Sequence, residues 1–247
     1  MSRRVLELER ESADWLEQLY TADFAVAAFF VGLLSAYGAL RVSPHTQKLC
    51  GELRPLGVLR FFTGTAPTGL TYWCVPPRRT VLLTVWRISR IPEACEQRRA
   101  QHMLAQCTRH GPDNHQSWDT LCERRMAEPG AAEVYHDTAL AFDFGQQVRL
   151  RRIHRHLSPA RLAAAADTSA ELILRCEAGG LLPGTPVGTR IAHALDLSRP
   201  DMLAATPNSV PMQLPQSPTA SQASDAVASA AGLTVGGRVP HSSHLKR

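Results

Sequence analysis

Residues 157–179, LSPARLAAAADTSAELILRCEAG, decide how the rest of the chain is read. Ser158 supplies a hydroxyl cap and Pro159 occupies the first helical position, where its missing N–H leaves no bond unmade. Ala160 to Ala166 then form a short helix with Leu162 and Ala163 facing inward. Asp167 tolerates left-handed turn geometry, and Ser169 caps a second helix carrying Leu172, Ile173 and Cys176 as an apolar stripe. Ala178-Gly179-Gly180 stops it. Two short helices joined by a tight turn form the helix-turn-helix pattern, whose second helix enters the major groove of DNA.

The flanks extend the helical reading. Upstream, Ala139 to Arg155 is amphipathic, with Leu140, Phe144 and Val148 on successive turns. Downstream, Pro186 to Leu197 places Val187, Ile191, Ala194 and Leu195 at helical spacing. The pieces Val148-Arg149, Leu157-Ser158, Leu162-Ala163, Thr168-Ser169, Ile173, 175–179 (RCEAG) and 191–195 (IAHAL) together resemble the lambda-repressor/Cro-like (XRE) family over 142–197. That resemblance places Ser158 and Arg161 near the DNA backbone and Ser169, Ala170, Glu171, Leu174 and Arg175 on the exposed recognition face. It also implies that Glu177 pairs with Arg152 to lock the module.

The chain has 247 residues, 44% of them hydrophobic and 20% charged, which suits a folded protein of one large or two small domains with extensions. A net charge of +5 is compatible with a nucleic-acid partner, and Arg149, Arg151, Arg152, His154, Arg155 and Arg161 gather beside the helix-turn-helix. The six cysteines are scattered without a CxxC spacing and read as free thiols, so neither a disulfide framework nor a metal is expected. His154 and His156 read as surface residues, and no cofactor is expected. The charged N-terminus does not suit a signal peptide, and Phe24 to Leu34 falls short of the ~20 residues that span a bilayer. A cytoplasmic protein with no membrane partner is the expectation.

In chain order, Val5 to Glu9 alternates as a strand. Ser12 to Leu19 and Ala22 to Tyr37 read as a helical pair, the first with Trp15, Leu16 and Leu19 inward. Three strand-like runs follow (52–62, 70–75 and 80–88), separated by Gly/Pro turns, and Pro92 to Cys107 closes the unit as a helix. The order β-α-α-β-β-β-α implies an α+β domain with an antiparallel sheet. Residues 111–117 read as a linker, Trp118 to Met126 as a short helix, and Ala131 onward as a helix running into the helix-turn-helix. From Thr206 the Pro/Ser/Ala/Gln-rich tail is expected to be disordered, since it cannot bury enough apolar area to offset its ordering entropy.

The strings Asp14-Trp15-Leu16, 49–55 (LCGELRP), 70–73 (LTYW) and 78–90 (RRTVLLTVWRISR), in this order, resemble the phage-derived HigB-like branch of the RelE/ParE toxin superfamily over about 5–107. The resemblance implies a ribosome-associated mRNA endonuclease that works without a metal, using basic side chains to stabilise phosphate charge while a 2′-hydroxyl attacks. Arg54, Arg60, Arg87 and Arg90 are the candidate cations. Trp86-Arg87-Ile88-Ser89-Arg90 stands where members usually show Phe-Arg-Lys-Thr-Arg, one lysine fewer. The second half, from Trp118 to Leu197, resembles the antitoxin partner of these toxins.

The domain expectation is therefore a toxin-like domain at 1–110, a linker at 111–117, an antitoxin-like domain at 118–205 with its helix-turn-helix at about 139–197, and a tail at 206–247. The expected function is a fused toxin–antitoxin protein acting as a transcriptional autoregulator. It would bind double-stranded DNA at its own promoter as a homodimer. The alternatives are an mRNA endonuclease acting on ribosome-bound mRNA and restrained in cis, or a decayed remnant with only an interaction role.

Overall fold

A computed structural model describes residues 4–37, 45–48, 56–88, 93–111, 114–198 and 200. Arg54, Arg90, the segment 202–205 and the tail 206–247 lie outside the described residues.

The elements run β1 (Val5–Leu8), α1 (Arg10–Gln18), α2 (Thr21–Tyr37), β2 (Thr46–Lys48), β3 (Leu56–Thr63), β4 (Ala66–Val75), β5 (Arg79–Arg87), α3 (Glu93–His110), β6 (Gln116–Ser117), α4 (Trp118–Met126), α5 (Ala131–His154), α6 (Pro159–Ala165), α7 (Ala170–Glu177) and α8 (Thr185–Ala194). This is an α+β fold on a six-stranded sheet ordered β2-β3-β4-β5-β1-β6.

The sheet is mixed, which corrects the antiparallel expectation: β1 pairs with β5 in parallel, Val5 opposite Arg79 and Leu8 opposite Leu82. Neighbours joined by tight turns must run antiparallel, as β3, β4 and β5 do. β1 reaches β5 only after two helices and three strands, so no hairpin sets its direction. The stretch read as a linker also enters the sheet, with Gln116 and Ser117 pairing antiparallel with Leu8 and Glu7 of β1.

One sheet face packs under α2, where Phe30 stacks on Phe61 with ring centroids 5.5 Å apart. The other face carries Leu56, Val58, Val81, Leu83 and Trp86 against Leu104 and Cys107 of α3. α2 is apolar nearly all round because it is covered on both sides: Phe30 meets the sheet below, and Phe29 and Phe30 meet Phe142 and Tyr135 of α5 above. In α1, Ser12, Ala13 and Leu16 are buried, whereas Trp15 and Leu19, expected inward, are half-buried.

The end of α1 is closed from a distance. Arg125 of α4 donates to the carbonyls of Leu16 (3.0 Å), Glu17 (2.7 Å) and Leu19 (2.7 Å), satisfying acceptors that a helix C-terminus leaves open. Its guanidinium also lies 4.7 Å from the Phe24 ring centroid, and Phe24 stacks on buried Trp118.

Helices α5 to α8 enclose a second core of Phe144, Val148, Leu162, Ala163, Ala166, Ile173, Ile191, Ala192 and Leu195. The sheet and this helical core fall within one compact unit, Met1–Pro211. Among the described residues, no helix is long and apolar enough to cross a membrane.

Candidate nucleic-acid interface

The helix starts are built as their sequences dictate. Ser158 Oγ accepts from the Arg161 N–H at 3.2 Å with Pro159 in the first turn of α6, and Ser169 Oγ accepts from the Leu172 N–H at 3.1 Å at the start of α7. Asp167 sits in the turn at φ 48°, a left-handed position that asparagine and aspartate tolerate better than branched residues. Gly179 at φ 62° ends α7, and the Gly180 N–H closes back on the Arg175 carbonyl at 3.0 Å.

Two side chains brace this unit. Arg152 meets Glu177 through two parallel contacts, Nε–Oε1 at 2.5 Å and Nη2–Oε2 at 2.8 Å, and donates to the Leu157 carbonyl at 2.8 Å. The paired carboxylate holds the Arg152 guanidinium above its usual range. Arg190 of α8, which the sequence reading passed over, donates to the carbonyls of Ala166 (3.0 Å) and Asp167 (3.3 Å) and so ties the α6–α7 turn to α8. An arginine directly before a helical Ile-Ala pair has many surface uses, and nothing local reveals this one.

Of the seven DNA-facing candidates, Ser158, Arg161, Ser169, Glu171 and Leu174 are exposed. Ala170 is half-buried and packs against the helical core. Arg175 points elsewhere: its Nη2 donates to the Gly64 carbonyl at 3.1 Å in the β3–β4 turn, and its guanidinium lies 5.6 Å from the Phe62 ring centroid. Phe62 also packs so close to Gly180 that a Cβ there would come within 2.6 Å of the ring. The C-terminal end of α7 is therefore docked on the sheet half, and its N-terminal end is exposed.

The basic cluster is likewise divided. Arg155 pairs with Asp196 at 2.6 Å, Arg152 is locked to Glu177, and Arg151, His154 and Arg161 are exposed.

On the sheet, the described arginines of the expected phosphate site do not converge. Arg60 shares a row with Gly69 and Trp86, whereas Arg87 shares the next row with Thr68 and Phe61. Adjacent rows project to opposite faces, so the two guanidinium groups leave the sheet on opposite sides. Arg87 donates to Thr63 Oγ1 at 3.3 Å. Half-buried Arg60 instead lines a cavity of about 290 Å³ with His45, Phe62, Arg149, Leu174 and Glu177.

His45, in the loop leading into β2, is a neutral wall of that cavity. Its Nδ1–H faces the Arg60 carbonyl at 3.3 Å and its Nε2 faces the Gln146 amide at 3.3 Å. Burial pushes its pKa down to about 4 against that backbone hydrogen bond, and the Arg149 charge adds to the lowering.

Neither a family model, nor a curated protein, nor a solved structure matches the chain.

Proposed function

We propose that the protein is a DNA-binding regulator in which α6 and α7 act as a helix-turn-helix of the XRE type, carried behind a RelE/HigB-like half in the same chain. The observation that carries this reading is the α6–α7 unit itself. Both helices are serine-capped, the turn is left-handed at Asp167, and the start of α7 presents Ser169 and Glu171 outward. In that frame Ser158 and Arg161 serve as backbone contacts and the first turns of α7 as the base-reading surface. Arg175 serves instead as an anchor between the halves.

The test is fluorescence anisotropy of the full-length protein on DNA from upstream of its own gene, across a salt series. Binding with log K falling by about 0.9 per neutralised phosphate for each unit of log salt supports the reading. Absent binding, or binding indifferent to salt, overturns it. A helix-turn-helix reading two half-sites works as a symmetric pair, so the expected species in light scattering is a homodimer, and a monomer bound to its operator contradicts that.

A restrained mRNA endonuclease is the second reading. It is favoured by one observation: the cavity beside Arg60 is roofed by residues of α5 and α7, Arg149, Leu174 and Glu177. It is weakened by the opposite projection of Arg87. RNA cleavage by the intact chain that is lost in Arg60→Ala and kept in Arg87→Ala would favour it.

A further inference from the structure

Away from the helix-turn-helix, the end of β1, the start of β5, the end of α3 and the residues just before β6 bring Glu7, Glu9, Arg79, Cys107, His110 and His115 together. One ligand atom each from Glu9, Cys107 and His115 lies within 4.8 Å of the other two. Cys107 Sγ is 3.2 Å from His115 Nε2, and Glu9 Oε1 is 3.6 Å from the same nitrogen. Tetrahedral geometry with Zn–S of about 2.3 Å and Zn–N or Zn–O of about 2.0 Å places neighbouring ligand atoms roughly 3.3–3.6 Å apart. The two distances to His115 Nε2 already stand close to that spacing.

The proton positions favour a cation. His115 Nδ1 lies 2.6 Å from Glu7 Oε2, which fixes the N–H there and leaves the lone pair on Nε2, facing Cys107 and Glu9. A carboxylate behind a ligating histidine is the usual way such a ligand is oriented. His110 repeats the arrangement: its Nδ1 faces the Gly111 carbonyl at 2.9 Å, leaving Nε2 at 2.9 Å from Glu9 Oε1. Glu9 Oε1 is buried among these same donors, 2.9 Å from His110 Nε2 and 3.6 Å from His115 Nε2, and the Cys107 thiol hydrogen-bonds to the Glu9 carboxylate.

The charge count agrees. Arg79 lies 2.7 Å from Glu7 and offsets one carboxylate, which leaves Glu9 facing the two imidazoles and the Cys107 thiol. A divalent ion bound with loss of the Cys107 thiol proton to solvent brings the buried group to neutrality.

We infer that Glu9, Cys107 and His115 bind one divalent transition-metal ion of the zinc class, with His110 at the solvent side as the fourth group and Glu7 orienting His115. The mixed sulfur, imidazole and carboxylate donors suit zinc or cobalt and do not suit magnesium or calcium. The ion would pin the end of α3 and the lead into β6 onto β1. The signal in the sequence is Cys107-x2-His110-x4-His115, which a search for paired cysteines does not find.

The experiment loads full-length protein, stripped with a chelator, with Co²⁺ and then with Zn²⁺. The expected result is one equivalent of Co²⁺ giving tetrahedral visible bands and a thiolate-to-cobalt charge-transfer band, both displaced by Zn²⁺. Cys107→Ser and His115→Gln should abolish the bands, Glu7→Gln should weaken uptake roughly 10–100-fold, and Cys95→Ser, an exposed thiol on the same helix, should leave uptake unchanged. Wild-type protein that takes up no cobalt saturably, or takes it up without the thiolate band, overturns the site without recourse to any variant. So does a band that survives in Cys107→Ser.

Discussion

At the scale of single residues, two titrating groups oppose one another. The folded pKa of His45 is depressed from 6.5 to about 4 by burial, so the unfolded chain takes up a proton between those values that the folded chain refuses. Acidification from pH 6.5 towards 4 therefore removes up to about 3 kcal/mol, at 1.36 kcal/mol per unit. Asp143 on α5 goes the other way: burial raises it from 3.8 to about 6, so its contribution is present below pH 3.8 and lost as pH rises through 6. Between pH 4 and 6 the two slopes offset. Asp143→Asn should expose the histidine's slope, so that the variant loses more stability than wild type between pH 6.5 and 4.5 in urea unfolding. An identical pH dependence in both proteins would contradict the assignment.

The buried Arg152–Glu177 pair gives a second expectation at this scale. Removing one partner leaves a charge without compensation, and Glu177→Ala should lower stability by about 3 kcal/mol, read as a fall in Tm. The pairing was expected from sequence only as what the resemblance implied, since nothing local to Arg152 or Glu177 names a partner twenty-five positions away. Arg60 and Arg87 were legible as cations and illegible as a pair. Whether two strand residues share a face depends on the register across β3, β4 and β5, which the turns set and local sequence does not display.

At the scale of elements, α5 and α7 cross at a point where only glycine fits. A Cβ on Gly145 would lie 2.0 Å from the Cys176 carbonyl oxygen, and backbone cannot step aside as a flexible side chain can. Gly145→Ala should cost more than the 1–3 kcal/mol typical of an overpacked core, roughly, and the urea midpoint should fall accordingly. Ser169→Ala removes only a cap and should cost about 1 kcal/mol by the same measurement. The helix ends were readable because serine, proline and glycine carry their own conformational signals: α6, expected at 160–166, runs Pro159–Ala165. β6 was unreadable for the converse reason. Two exposed residues, Gln116 and Ser117, have no periodicity to show.

At the scale of the whole molecule, the two halves meet broadly through the α2–α5 aromatic packing of Phe29 and Phe30 on Phe142 and Tyr135, and at α7 through Phe62 against Gly180 and Arg175 against the Gly64 carbonyl. Arg175→Ala should leave the helical core intact and loosen this docking. If DNA is read by the start of α7, DNA affinity in anisotropy should hold or rise in that variant, and a loss of tenfold or more would return Arg175 to the DNA face. On paper the chain reads as two halves because its strand-like runs precede its helical runs. Their joining was not legible, since it rests on contacts between residues more than a hundred positions apart, such as Phe29 with Phe142 and Arg175 with Gly64.

The closure of the first strand by residues 116 and 117 sets an order of events during synthesis. β1 leaves the ribosome well before β6, yet its outer edge is covered only once the chain has reached Ser117. Phe24 waits for Trp118, and the carbonyls ending α1 wait for Arg125. A stop codon between codons 88 and 116 would release a polypeptide with an open strand edge and a bare aromatic patch, the features proteases and aggregates seize. The protein thus carries its own proofreading of length: a prematurely ended front half should be short-lived in pulse-chase labelling, while chains extending past Arg125 persist.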